Sequence, residues 1–258
     1  MFISSQDLKK IYQDDSVLIL DARSYKDYSK GHIPGSVSLD LFSFHWADTS
    51  QKGLVSFGEH MRKILSYAGI DENKKIIFYD DVSGMLAARG VWMCLYFSHP
   101  DVQMLDGGLS KWTKENLPTQ TESTIYKPTN LTTPINPSII IGFEELNENI
   151  GKVTIIDARS PDEFDGTMPR AARGGHIPTA KNIDWNNNLD DSGKLKSDSE
   201  LESLYTMDKE YPIVTYCQGA YRAANSYLSL KKIGFKNVKV YLGSWGEWGN
   251  NLKLPIEK

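Results

Sequence analysis

The stretch Val17-Leu18-Ile19-Leu20-Asp21-Ala22-Arg23-Ser24 returns later in the same chain as Val153-Thr154-Ile155-Ile156-Asp157-Ala158-Arg159-Ser160. Each copy is a short β-branched run that ends on a charged Asp-Ala-Arg, which reads as a buried strand bounded by polar residues. Three further matches follow in the same order on either side. Gly31-His32-Ile33-Pro34 answers Gly175-His176-Ile177-Pro178. Ile76-Ile77-Phe78-Tyr79 answers Ile213-Val214-Thr215-Tyr216, each followed by a short loop and an alanine-bearing helical pattern. Leu105-Asp106-Gly107-Gly108-Leu109-Ser110-Lys111-Trp112 answers Tyr241-Leu242-Gly243-Ser244-Trp245-Gly246-Glu247-Trp248. Four matches in one order make the chain a tandem duplication.

Between the copies lie Pro118, Pro128, Pro134 and Pro137. Proline fixes φ and removes backbone donors, so this stretch suits an extended linker, and the two domains are expected at 1–120 and 138–258. Strand patterns at 17–20, 75–79, 153–156, 213–216 and 238–241 alternate with helical ones. Two of the helical patterns are 58–67, with Met61, Ile64 and Leu65 in phase, and 222–233, with Ala223, Tyr227, Leu230 and Ile233 in phase. The alternation predicts the α/β class, with a mostly parallel central sheet flanked by helices in each half. In such sheets ligands bind beyond the carboxyl ends of the strands.

Composition narrows the possibilities further. Across 258 residues, 40% are hydrophobic and 24% charged, the balance of a globular protein, and the net charge of −4 gives no reason to expect nucleic acid or an anionic membrane as partner. The first fifteen residues carry charges where a signal peptide needs an apolar run, and nothing approaches the roughly 18 apolar residues of a membrane span. A cytoplasmic location is therefore expected. There the two cysteines, Cys94 and Cys217, have no need to pair.

Their settings differ. Cys94 sits among Trp92, Met93, Leu95, Tyr96 and Phe97 and reads as core. Cys217 opens the run Cys217-Gln218-Gly219-Ala220-Tyr221-Arg222 at a strand-to-helix junction. Helix N-termini present N–H groups with no intrahelical partner, and these favour a thiolate over a thiol. Gly219 is expected to let the backbone curl so that several amides converge, and Arg222 adds a permanent positive charge. Thiolate, amides and cation together suit attack on an anionic, sulfur-bearing substrate.

These features together resemble the rhodanese family: the Asp-Ala-Arg strand ends, the Gly-His-Ile-Pro turns, the cysteine loop before a helix and the Gly-x-Trp endings. The two-domain form is similar to the thiosulfate and 3-mercaptopyruvate sulfurtransferases, over nearly the whole chain. The resemblance implies two rhodanese-like domains, with Cys217 of the second as the active nucleophile. It implies an inactive first domain with Asp80 in the cysteine's place, a structural partner closing one wall of the cleft. A carboxylate at Asp80 is expected to be unwelcome among amides meant for substrate anions. Cys217 would take sulfur from thiosulfate or 3-mercaptopyruvate as a persulfide, held by the backbone of Gln218, Gly219, Ala220, Tyr221 and Arg222. It would pass that sulfur to cyanide, a small thiol or a protein acceptor, with no metal or organic cofactor.

The sequence departs from that family in two places. The loop is neither the Cys-Arg-Lys-Gly type of thiosulfate enzymes nor the Cys-Gly-Ser-Gly type of mercaptopyruvate enzymes. Where the family commonly carries a donor-binding arginine, this chain has Glu163. Arg170 and Arg173 either supply the lost charge or are ordinary surface arginines. Because nothing specifically recognises a keto acid, thiosulfate is the expected donor. Asp157 and Arg159 recur as Asp21 and Arg23 in the inactive half, so they read as structural support. His32 and His176 recur likewise and are not general bases, Pro34 and Pro178 read as turn formers, and Trp245 and Trp248 as packing residues, with lining of the cleft the alternative for Trp245. Two other functions fit the residues. One is a cysteine phosphatase, although Cys-x4-Arg is one residue short of the phosphate-encircling Cys-x5-Arg. The other is a non-catalytic binding or sensing module.

Overall fold

A computed structural model describes residues 1–258. It divides into two compact units, and each repeats one plan. The first contains β1 (Phe2–Ile3), α1 (Ser5–Ile11), β2 (Val17–Asp21), α2 (Tyr25–Tyr28), β3 (Val37–Ser38), most of α3 (Gln51–Tyr67), β4 (Lys75–Tyr79), α4 (Met85–Tyr96), β5 (Val102–Leu105) and α5 (Gly108–Lys114). The second contains β6 (Ile140–Ile141), α6 (Phe143–Glu148), β7 (Thr154–Asp157), α7 (Pro161–Phe164), β8 (Lys181–Asn182), α8 (Asp198–Leu204), β9 (Ile213–Tyr216), α9 (Tyr221–Lys232), β10 (Val238–Tyr241) and α10 (Ser244–Trp248).

All sheet pairings are parallel, in the orders β1-β5-β4-β2-β3 and β6-β10-β9-β7-β8. Helices cover both faces of a parallel sheet, so its strands are apolar throughout rather than alternating. Every residue of β2 and of β9 is buried accordingly. Ile19 pairs in register with Ile77, and Ile155 with Val214, placing equivalent side chains in the two cores. Trp112 and Leu117 complete the first core, while Trp245, Trp248 and Leu254 complete the second. The α/β expectation holds in both halves, and no helix is long and apolar enough to cross a membrane.

Three details differ from the sequence reading. The strand expected at 153–156 lies one residue later, so that Asp157 ends it. The helix expected at 58–67 begins at Gln51, where the Ser50 hydroxyl accepts from the Gly53 N–H at 3.1 Å, a start signal the apolar spacing did not register. The third concerns which segments belong together. His45–Phe57, from the first half of the sequence, is part of the second unit, and Leu189–Leu195, from the second half, is part of the first. The proline-containing stretch carries no regular element up to Pro137. It is fixed to the first unit, because Arg62 donates to the Leu131 and Thr133 carbonyls at 2.9 and 2.7 Å.

Candidate active site

Cys217 follows β9 directly and is 1% exposed. Its loop is tied down by the start of α10. The Cys217 N–H donates to the Ser244 hydroxyl at 3.2 Å, the Trp245 N–H to the Cys217 carbonyl at 2.8 Å, and the Gly246 N–H to the Gln218 carbonyl at 2.9 Å. The Gln218 side-chain amide donates to the Arg170 carbonyl at 3.0 Å. The loop then turns into α9, whose twelve residues begin behind Ala220 with no side-chain cap, so its first amides face the loop.

The curl expected at Gly219 occurs one residue later. Ala220 adopts φ 68°, a left-handed conformation unusual for a non-glycine residue, whereas Gly219 does not. Gly219 is needed for a different reason. A Cβ at that position would stand 2.5 Å from Cδ2 of His45, whose imidazole lies against the loop. That ring also meets Tyr221 with centroids 5.0 Å apart. His45 was not recognised from the sequence, because nothing local links it to a loop more than 170 residues away.

Arg222 does not stand alone. Its two terminal nitrogens donate to Glu163 at 2.5 and 3.0 Å, a bidentate pair, and Arg170 approaches the same carboxylate at 3.5 Å. Glu163 is itself fixed by a capping box with Ser160 at the start of α7. Burial pushes the Glu163 carboxyl up, but the hydrogen bond and charge of Arg222 outweigh it and hold the group at about 2. For Arg222, burial opposes the charge, while the hydrogen bond to Glu163 and the neighbouring Cys217 sulfur favour it, leaving the guanidinium above its ordinary value. Two arginines and one carboxylate leave this cluster a single net positive charge, with Arg222 beside the sulfur. Glu163 thus serves as the brace of Arg222, a role that the capping-box pattern Ser160-Pro161-Asp162-Glu163 hints at only in part.

Arg173 is taken up by backbone carbonyls. It donates to the carbonyls of Gly249, Leu254, Trp248 and Asn251 at 3.3, 2.8, 2.8 and 2.6 Å, and so fastens the C-terminal tail. Asp157 and Arg159 form a buried pair, with Nη2 to Oδ2 at 2.5 Å. Arg159 also donates to the Gly175 carbonyl at 2.8 Å and lies 4.6 Å from the Trp245 ring centroid. Asp21 and Arg23 repeat this, with Arg23 on the Gly31 carbonyl at 2.8 Å. His176 stacks on Phe164 and His32 on Tyr28, both with centroids 3.7 Å apart. Trp245 and Trp248 are fully buried. Cys94 is fully buried too, and burial pushes its thiol far up.

Asp80 stands at the Cys217 position of the first unit. Its carboxylate is cradled by four amides. Oδ1 accepts from Val82 and Gly84 at 3.2 and 3.1 Å, and Oδ2 from Leu86 and Ala87 at 3.0 and 3.1 Å. The carboxylate fills the cradle and is held by its amides, but burial costs the charge more than they return. Burial raises it to about 6, with the amides pulling the other way.

Comparison with known proteins agrees with this architecture. A family model described as Rhodanese-like domain matches residues 4–115 and again 143–251. Over its full length the chain is 33% identical to the sulfur carrier protein TtuD of Thermus thermophilus, of which it covers 96%. It is 32% identical to the thiosulfate sulfurtransferase of Azotobacter vinelandii, over all of this chain and 97% of that one. Among solved structures, SseA from Escherichia coli, described with the rhodanese fold and the 3-mercaptopyruvate enzymes, superposes with a TM-score of 0.80. It is 27% identical, with 95% of this chain and 98% of that one covered.

Proposed function

The chain belongs to the rhodanese-like domain family as a tandem sulfurtransferase, and on that premise we propose that it moves sulfur from thiosulfate through a persulfide on Cys217 to a thiol or cyanide. In the first half-reaction the Cys217 thiolate attacks the outer sulfur of thiosulfate. The S–S bond breaks, its electron pair leaves with sulfite, and the negative charge remains on the new persulfide. The amides of Gln218 to Arg222 meet that charge from the backbone, and Arg222 meets it from the side. In the second half-reaction an acceptor nucleophile takes the outer sulfur and the pair returns to Cys217.

The observation that carries this reading is the arrangement at Cys217: a buried sulfur at the head of an uncapped helix, beside a guanidinium braced by Glu163. Arg222 and Arg170 are the donor-facing cations. Arg173, held by four carbonyls, acts through the fold, as does the Asp157–Arg159 pair. The single net positive charge suits a small dianion such as thiosulfate. The name of the Thermus thermophilus relative, a sulfur carrier protein, favours a thiol as the acceptor over cyanide. Both cysteines are unpaired, leaving the Cys217 thiol available to take up sulfur.

Initial rates over a grid of thiosulfate and cyanide concentrations test the scheme, with 3-mercaptopyruvate and a phosphoester run alongside. Parallel double-reciprocal lines, a lower rate from mercaptopyruvate and no ester hydrolysis are expected. Intersecting lines would contradict the persulfide intermediate, and ester hydrolysis without sulfur transfer would install the phosphatase reading instead.

A further inference from the structure

His45 lies where neither the duplicated pattern nor the loop itself required a residue. It comes from the first half of the sequence but belongs to the second unit, in the segment His45–Phe57. That segment is latched. Glu247 accepts from the Thr49 N–H at 2.7 Å and from the Thr49 hydroxyl at 2.5 Å, and the same hydroxyl accepts from the Phe143 N–H at 2.9 Å. Four residues before Thr49, the exposed imidazole of His45 rests on Gly219, in a space that a single methyl group there would fill. On its other side stands Tyr221.

Cys217 is 1% exposed, so an acceptor reaches the sulfur only by way of the residues packed around its loop, His45 among them. Cyanide is two atoms long and can do so without resting on the rim. A thiol carries a carbon skeleton with polar groups, and that skeleton has to lie on whatever forms the rim. A histidine ring offers both an apolar face and a hydrogen-bonding edge for that purpose.

We propose that His45 is the acceptor-selecting residue: the rim on which a polar thiol docks before it attacks the Cys217 persulfide. The proposal rests on the sulfurtransferase reading above and adds to it the side of the site that meets the second substrate. Gly219 is glycine so that this ring can approach, and the Glu247–Thr49 latch holds the ring in place.

The test loads the full-length protein with thiosulfate, verifies the added sulfur by mass, and follows discharge to glutathione and to cyanide. One lost hydrogen bond near 1.4 kcal/mol corresponds to about tenfold. In His45→Ala the ratio of kcat/KM for glutathione to that for cyanide should fall about tenfold, mainly through KM. His45→Gln, which restores a hydrogen-bonding edge, should recover part of it. Thr49→Val, which loosens the latch, should move the ratio the same way by less. The loaded mass of each variant verifies that its loop is folded. A ratio within twofold of wild type in His45→Ala would overturn the role of His45 while leaving sulfur transfer standing. Failure of the wild-type protein itself to load would overturn the sulfurtransferase reading, and this proposal with it.

Discussion

Ser244 adopts φ 52°, and its counterpart in the first half, Gly108, adopts φ 56°. The backbone thus needs the same left-handed turn twice, yet only the first copy uses the residue that adopts it freely. The hydroxyl explains the serine, since it accepts from the Cys217 N–H and donates to the Tyr241 carbonyl at 2.9 Å. Ser244→Gly and Ser244→Ala lose the same hydroxyl, but only glycine releases the strain. The glycine variant should therefore be more stable than the alanine one by about 1 kcal/mol in denaturant unfolding. Both should turn over roughly tenfold more slowly than wild type, the value of one positioning hydrogen bond. Wild-type turnover in Ser244→Gly would show that the serine serves something else. Glu163 supports a second prediction at this scale. Removing one partner of a buried pair leaves the other charge uncompensated, so Glu163→Gln should cost about 3 kcal/mol at pH 7 and raise the KM for thiosulfate. A carboxyl held at about 2 stabilises the fold fully above its ordinary value and loses that contribution as pH falls towards 2. The stability gap between wild type and Glu163→Gln should accordingly close from about pH 5 downward. A gap independent of pH would contradict the ion pair. Cys217 and Arg222 were legible in the sequence because strand, cysteine and helix are contiguous. Glu163 was legible only as a missing arginine, since its brace on Arg222 spans 59 residues of sequence.

Among elements, the two strand-loop-helix junctions share a design and differ in what fills it. β4 leads to Asp80 and a cradle of four amides before α4, while β9 leads to Cys217 and an uncapped α9. The first junction has amides and no cation within the loop, and its exposed Asp81 is paired with Arg23 at 3.4 Å. If amides alone sufficed for chemistry, a cysteine placed there would load with sulfur. The Asp80→Cys/Cys217→Ser double variant should gain no sulfur from thiosulfate in a time that loads wild type fully. Loading of that variant would show that Arg222 is dispensable. The elements themselves were well predicted where buried residues are continuous, as in β4 and β9, because burial on both faces leaves no other reading. Misreadings arose where polar residues carry the signal. Gln51 and Lys52 open α3 behind the Ser50 hydroxyl, and Asp157 ends β7 in place of an apolar residue.

For the whole molecule, duplication was visible because it repeats strings of residues in order. The exchange of His45–Phe57 and Leu189–Leu195 was not, since nothing in a repeat says which copy a connecting segment packs with. That packing is decided by tertiary contacts such as Thr49 on Glu247, 198 residues apart. It matters because the segment delivers His45 to the Cys217 loop. The fold could thus be read from pattern, and the Cys217 loop from one contiguous stretch of sequence. The placement of His45 against that loop could be found only in three dimensions.

The central claim is that one buried sulfur, at the head of α9, carries the transferred atom. Intact mass spectrometry after thiosulfate treatment, followed by peptide mapping, measures this directly. The account predicts a gain of one sulfur atom, located on Cys217, lost on adding cyanide or glutathione and absent from Cys217→Ser. A gain on Cys94, a gain that persists in Cys217→Ser, or no gain at all would contradict it.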